Sequence, residues 1–303
     1  MFTKLRSRRG LSFDRLAALL DLAESGSLAK AADGDPNRQA LYSRQIKQLE
    51  DFFGVELTRR HGHRLELTSA GRRLVEIARE TFLQLEDFQG DCDQHPLTLS
   101  VGGGDSVLQW LFLPRLGDLQ RLFPKVEIQF RDLGTNDVAR ELCELRVDLG
   151  ILRESALVPP LASARLLRMS YSLFVPQALL PAGQSPDYRR VLGSVPLALQ
   201  STGGQFHTTF EEAARKQNIR CRAALRCVSF IQAHRALLTG QYAAILPSFA
   251  ASEVDPARYA QIPLPLLKSY ERILCLAWNP RLLRLRPALE KITAHLASTL
   301  AKS

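Results

Sequence analysis

The chain has 303 residues, 46% of them hydrophobic and 23% charged, with a formal net charge of +9; that length predicts two domains or three lobes, and that balance excludes a disordered or fibrous chain. No apolar run reaches the ~18 residues needed to span a bilayer. The basic start (Lys4, Arg6, Arg8, Arg9) is not followed by an apolar stretch, so neither a signal peptide nor a membrane partner is expected, and the reading places the protein in the cytoplasm.

Leu16, Leu19, Leu20 and Ala23 recur at helical spacing and predict an amphipathic helix beginning near Ser12 and stopped by Gly26. Ser27 can cap a short helix, Leu28 to Ala32. Asp33-Gly34-Asp35-Pro36-Asn37 is a turn full of breakers. Asn37 can cap a third helix, Arg38 to about Phe53, with Tyr42, Ile46, Leu49 and Phe53 as its buried stripe. Its other face gathers Arg38, Gln39, Ala40, Ser43, Arg44 and Lys47 near the helix start. Arg can pair bidentately with guanine and Gln with adenine in a major groove, Lys suits phosphate, and a small Ala or Ser permits close approach.

Two short alternating stretches then flank His61-Gly62-His63, which predicts a hairpin wing carrying Arg59, Arg60, His63 and Arg64. Basic wings suit backbone phosphate. Ser69 caps a long helix, Ala70 to about Phe88. Its stripe of Leu74, Ile77, Ala78, Phe82 (or Thr81), Leu85 and Phe88 asks for a partner, most simply the same helix of a second subunit. Residues 1–73 hold 14 Lys/Arg against 9 Asp/Glu, yet 96–303 hold 25 against 16. The positive charge is therefore not confined to the segment expected to meet DNA.

The stretch Leu16 to Gly71 resembles the DNA-binding domain of the LysR family of bacterial transcription regulators. The matching pieces are Gly26-Ser27-Leu28-Ala29-Lys30-Ala31-Ala32, then Gln39 through Glu50, then Gly54-Val55-Glu56-Leu57 and Leu67-Thr68-Ser69-Ala70-Gly71, in order and without a gap across the helix-turn-helix. Departures lie in the turn, where Asp35 and Asn37 replace the family's Leu and a β-branched residue, and at Ala40, where Pro is usual. Thr58 stands for the usual Phe and His63 for the usual Arg. Asp35 replaces a residue that normally packs inside the motif, so either a rearranged turn or an unusual operator is expected.

After His95-Pro96 the pattern becomes strand, Gly102-Gly103-Gly104-Asp105-Ser106, a helix Val107 to Leu122, a strand Val126 to Phe130, a helix Asn136 to Arg146 and a strand Asp148 to Leu152. This βαβαβ rhythm predicts an α/β architecture with a mainly parallel sheet. Similar units follow, ending on a strand Ile273 to Ala277 and a helix Pro287 to Leu300. The LysR resemblance continues through Leu113-Pro114, Phe123-Pro124, Val147-Asp148-Leu149-Gly150-Ile151 and Gly240 to Pro247. It implies the fold: an α/β chain with a winged helix-turn-helix over 1–68, a linker helix over 69–95 that pairs subunits, and a two-lobed effector domain like a periplasmic binding protein over 96–303. Lobe I is expected at 96–166 and 268–303, lobe II at 167–267.

Such folds bind ligands where strand ends and helix N-termini converge. That nominates Asp105, Ser106, Thr135, Ser201, Thr202 and Ser229 for an effector; Asp105 counts against a simple anion and suits an amine. The resemblance implies double-stranded DNA and a small-molecule effector as partners, self-association to a dimer or homotetramer, and allows RNA polymerase as a further partner. Five cysteines without a C-x-x-C predict reduced thiols and no metal site. There is no Gly-Lys-Ser/Thr loop, no G-x-G-x-x-G and no G-x-S-x-G elbow, so no catalytic residue and no cofactor are expected. A solute-binding protein or enzyme whose N-terminal helices merely assemble it is the rival reading. The Gln39, Ser43 and Arg44 face and the basic wing oppose it.

Overall fold

The computed structural model describes residues 10–61, 64–93, 95–181, 187–201 and 205–301, with backbone alone at 64 and 91. His63 and Thr202, both expected to meet ligand, lie outside the described residues. The chain forms two compact units, Met1–His95 and Pro96–Ser303.

The first unit runs α1 (Phe13–Ser25), α2 (Leu28–Ala31), α3 (Pro36–Phe53), β1 (Thr58–His61), β2 (Arg64–Leu67) and α4 (Ser69–Asp93). Gly26 closes α1 at φ 71, and Ser27 caps α2 by accepting from the Lys30 N–H. The turn after α2 is ordered by its own backbone. The Gly34 N–H reaches Ala29 O at 2.9 Å and the Asp33 N–H reaches Lys30 O at 3.1 Å, with Asp33 left-handed at φ 52. This is a Schellman-type stop with Asp33 where glycine is usual. Asp35, expected to disturb the turn, caps α3 instead: its carboxylate accepts from the Asn37 N–H at 2.8 Å, and Pro36 takes the first helical position, where a missing N–H costs nothing. The helix thus starts before Asn37, not after it.

Leu19, Leu22, Ile46, Leu49, Leu57, Leu74 and Val75 form the core of this unit. Phe52, not Phe53, completes the buried stripe of α3; Phe53 packs half-buried against the same cluster. Glu50 fixes the wing to α3 by accepting from the Leu57 N–H, the Thr58 N–H and the Thr58 hydroxyl at 2.9, 3.0 and 3.2 Å. Thr68, rather than Ser69, caps α4 by accepting from the Gly71 N–H at 3.0 Å. A Cβ at Gly71 would lie 2.0 Å from Leu57 O, so the close approach of α4 to the chain before β1 requires glycine there.

Helix α4 also has a partner within its own unit, against the expectation of a wholly unpartnered stripe. Leu74 and Val75 enter the core, Phe13 meets Phe82 edge-on at 5.7 Å, and the buried Arg79 donates to Glu24 at 3.2 Å. What remains open is Ile77, Leu85 and Phe88, the last 66% exposed.

The second unit carries two five-stranded sheets. The first has the order β4-β3-β5-β12-β6, from β3 (Leu97–Gly103), β4 (Val126–Asp132), β5 (Leu149–Arg153), β6 (Ala162–Met169) and β12 (Arg272–Trp278). The second has the order β11-β7-β10-β8-β9, from β7 (Tyr171–Pro176), β8 (Leu197–Gln200), β9 (Ala223–Cys227), β10 (Ala243–Pro247) and β11 (Tyr259–Pro263). The sheets are mixed, not mainly parallel. Strand β12 returns from the other lobe and runs antiparallel to β5 and β6, and β7 runs antiparallel to β10 and β11. The chain stays on the first sheet through Met169, three residues beyond the expected split, because β6 pairs with β12 over its whole length.

The helices of this unit are α5 (Asp105–Val107), α6 (Leu116–Leu122), α7 (Thr135–Cys143), α8 (Tyr188–Ser194), α9 (Gln205–Lys216), α10 (Phe230–Leu238), α11 (Pro280–Leu285) and α12 (Ala288–Leu300). The single helix expected over 107–122 is broken by a π turn, Leu108–Phe112, and a 3-10 turn, Leu113–Arg115, around Pro114. The Val147-Asp148-Leu149-Gly150-Ile151 motif proves structural. Asp148 is buried, accepts from the Ser100 N–H at 2.7 Å and pairs with the buried Arg286 at 2.7 Å, while a Cβ on Gly150 would meet Val138 at 2.4 Å. No helix among the described residues is long and apolar enough to cross a membrane.

Candidate nucleic-acid interface

Gln39, Ala40, Ser43, Arg44 and Lys47 are all exposed on α3, as the sequence spacing predicts. Gln39, Ser43 and Lys47 share one stripe because they are four residues apart. They form part of the lining of a groove of about 900 Å³, with Lys30 of α2 and Arg60 of β1 also at its walls. The groove therefore joins amide, hydroxyl, ammonium and guanidinium groups from helix, turn and wing. Lys47 lies 3.6 Å from Asp51, an exposed ion pair that a phosphate can displace at little cost, and 3.7 Å from the largely buried carboxylate of Glu50. Ala40 and Arg44 flank this stripe on the outer side of α3. Arg64 lies in β2 opposite His61.

Arg38 departs from the expected pattern. Its guanidinium is directed to two partners in its own unit, Asp33 at 3.0 Å and the Tyr42 hydroxyl at 3.2 Å. The Tyr42 hydroxyl in turn donates to Asp21 of α1 at 2.7 Å. That hydrogen bond, followed by burial, raises the phenol above its ordinary value. The sequence gives no functional signal for Lys30, Asp21 or Tyr42. The first lies on a short helix with no pattern of its own, and Tyr42 reads only as core.

The effector candidates fall at two corners of the second unit. Asp105 and Thr135 follow the C-terminal ends of the neighbouring parallel strands β3 and β4, whose last pair is Gly103 and Asp132. Ser201 and Ser229 follow β8 and β9, paired at Gln200 and Cys227. Helix α5 meets α10, the helix that Ser229 caps. Ser229 accepts from the Gln232 N–H at 3.2 Å, and the Ser201 N–H donates to Cys227 O at 2.9 Å. The Asp105 N–H donates to the Asp132 carboxylate at 3.0 Å; burial, then the charge of Asp132, raises the Asp105 carboxyl above its ordinary value.

Between the lobes the structure adds groups that no spacing rule could collect. Tyr171, Phe206, Phe230 and Tyr270 pack ring on ring, with Tyr171–Phe206 and Phe206–Phe230 centroids at 4.8 and 4.9 Å. Arg272 lies over Tyr270 at 4.3 Å, and Arg153 of the first lobe donates to Gln205 of the second. Trp110, from the π turn, enters the core of the second lobe. Its indole N–H donates to Glu253 at 3.0 Å, and its ring meets the buried His234 edge-on at 5.5 Å. Among the described residues no cluster of three or more His, Cys, Asp or Glu is arranged to hold a metal ion.

Comparison with known proteins matches residues 13–72 to the family described as "Bacterial regulatory helix-turn-helix protein, lysR family" and residues 93–301 to "LysR substrate binding domain". The chain is 26% identical over 254 residues to a probable nitrogen assimilation transcriptional activator of Synechococcus elongatus, covering 79% of this chain and 80% of that one. It is 24% identical over 274 residues to the HTH-type transcriptional regulator PtxR of Pseudomonas aeruginosa, covering 86% and 85%. Among solved structures, a full-length OxyR variant from Pseudomonas aeruginosa has the same fold, with a TM-score of 0.61 at 19% identity over 97% of this chain and 98% of that one. CrgA from Neisseria meningitidis aligns with a TM-score of 0.53 at 16% identity, over 96% and 99%.

Proposed function

This chain belongs to the LysR family of bacterial transcription regulators, and we propose that it reads its operator with the α3 face of Gln39, Ala40, Ser43, Arg44 and Lys47, flanked by Arg60, His63 and Arg64 of the wing. The observation that carries this reading is the shared groove: Gln39, Ser43 and Lys47 stand on one stripe, with Lys30 and Arg60 at its walls. Gln and Arg at such positions discriminate adenine and guanine, and the lysines neutralise phosphate. Two copies paired through α4, singly or as a dimer of dimers, present two such helices to a pseudo-palindromic site.

The effector acts between the lobes, at the corners marked by Asp105, Ser106 and Thr135 on one side and Ser201, Thr202 and Ser229 on the other. The Asp105–Asp132 pair makes the first corner acidic, which suits an amine, and Arg153 and Arg272 supply positive charge beside the aromatic cluster. A zwitterionic small molecule satisfies both. Its differential affinity for two subunit arrangements is what shifts regulation. The protein acts in the cytoplasm, without catalysis.

The test is a genome-wide binding selection with purified protein, wild type beside Arg44→Ala. Recovery of an inverted repeat that the variant loses supports the reading. Enrichment of no sequence by the wild type at low salt would overturn it.

A further inference from the structure

Resting on that DNA-binding reading, we propose that Asp21, Tyr42, Arg38 and Asp33 form a polar clasp that sets the angle of the recognition helix, so that Arg38 and Tyr42 are positioning residues for base reading rather than DNA contacts. The chain of bonds is continuous. Asp21 of α1 accepts from the Tyr42 hydroxyl at 2.7 Å, that hydroxyl accepts from Arg38 at 3.2 Å, and Arg38 reaches Asp33 at 3.0 Å. The Arg38 guanidinium also sits 5.6 Å from the centre of the Tyr42 ring.

The clasp joins three pieces that must keep a fixed relation: α1, the turn before α3, and the first two turns of α3. Hydrophobic packing on its own defines this relation loosely at that end. The core residues of α3 beyond Tyr42 are Ile46, Leu49 and Phe52, all toward its C-terminal half. The helix begins at Pro36, with the exposed Asn37, Arg38, Gln39 and Ala40 ahead of the first core residue. Its reading end would therefore be free to swing. Directional bonds from Tyr42 and Arg38 remove that freedom where Gln39, Ala40 and Ser43 are presented.

The geometry also separates Arg38 from the reading stripe. At 100° per residue, Arg38 lies on the row of Tyr42 and Leu49, on the side of α1, whereas Ser43 and Lys47 follow the row that lines the groove. The left-handed Asp33 fits the same picture. Glycine would take φ 52 more easily, but glycine brings no carboxylate to Arg38.

The experiment compares full-length wild type, Tyr42→Phe, Arg38→Ala and the double variant. Tyr42→Phe keeps the ring in the core and removes only the hydroxyl. Affinity is measured for the selected operator and for a scrambled duplex across a salt series. The clasp predicts that Tyr42→Phe and Arg38→Ala each lower operator affinity about tenfold, move scrambled binding less than twofold and leave the salt slope unchanged. The double variant falls no further than Arg38→Ala. Hydrogen exchange of the free protein gives a readout without DNA: protection over residues 33–42 drops in both single variants, while that of α10 and β10 is kept.

Two results overturn the proposal. If Arg38→Ala weakens operator and scrambled DNA equally and cuts the salt slope by about one, while Tyr42→Phe changes nothing, Arg38 is a phosphate contact. If exchange over residues 33–42 is unmoved in both variants, there is no clasp. Failure of the wild type to select any sequence would overturn the DNA-reading premise instead, and the exchange measurement then decides the clasp by itself.

Discussion

Gly71 and His234 show how single residues constrain each unit. A Cβ at position 71 would sit 2.0 Å from Leu57 O, which is backbone and has nowhere to move. Gly71→Ala is expected to destabilise the N-terminal unit by about 3 kcal/mol, the upper end of the cost of overpacking. Thermal unfolding of the full chain should show an N-terminal transition displaced downward, with the C-terminal transition unmoved.

His234 is 5% exposed, and its Nε2 has no hydrogen-bond partner among the described residues. Burial lowers its affinity for a proton, and Arg235 on its own helix acts in the same direction. Glu253, from the 3-10 segment Ser248–Glu253 beyond β10, opposes both. The native state therefore binds fewer protons than the unfolded chain as pH falls below about 6.5. The stability from keeping His234 neutral is present above that value and is lost as pH drops toward the folded-state pKa. Thermal melts of the wild type should fall from pH 7.5 to pH 5.5. His234→Phe, which cannot take up a proton, should show a smaller fall, and an equal fall would assign the effect to other groups.

Among the elements, α4 bears most directly on assembly. Its first half is consumed by its own unit through Leu74, Val75 and Arg79, so the subunit pairing proposed for α4 falls, among the described residues, to the face around Ile77, Leu85 and Phe88. Replacing Leu85 and Phe88 together by Asp should convert the sedimenting species to monomer. It should also lower affinity for the full inverted repeat about a hundredfold while sparing a single half-site, because the second contact is no longer intramolecular. Unchanged mass would move the pairing surface elsewhere.

The helix-turn-helix is legible in the sequence because its signals are local: Ser27 and Gly26 punctuate α1 and α2, and the apolar spacing of α3 follows one period. The cap of α3 is ambiguous there because Asp35 and Asn37 can both cap, and only the position of Pro36 at the first helical turn separates them. Ser69 and Thr68 pose the same ambiguity before α4. In β6 the alternation of Ala162-Ser163-Ala164-Arg165-Leu166 is broken at Leu167, and its pairing with β12 is set by chain return across the lobes, which no local pattern encodes. The π turn at Leu108–Phe112 reads in sequence as ordinary helix, since its apolar content is the same.

For the whole molecule, the functional groups divide by how they assemble. The groove proposed to read DNA draws on residues 25–65, close enough in sequence for spacing to reveal. The inter-lobe region draws on Trp110, Arg153, Tyr171, Phe206, Phe230, Glu253 and Tyr270, which only tertiary folding collects. Hydroxyl positions after strands are visible as loop chemistry, whereas the aromatic wall beside them is not. The family match places a helix-turn-helix and a substrate-binding domain in one regulator.

The most direct test of the central claim is a salt titration of wild-type binding to the recovered operator beside a scrambled duplex of equal length. A regulator that reads bases through α3 and phosphates through Lys30, Lys47 and Arg60 in two copies should lose affinity steeply with salt, with a log–log slope of magnitude about 4 or more. It should also prefer the operator by at least about 10³ throughout. Equal affinity for both duplexes at every salt concentration would contradict base reading and reduce the groove to a basic surface.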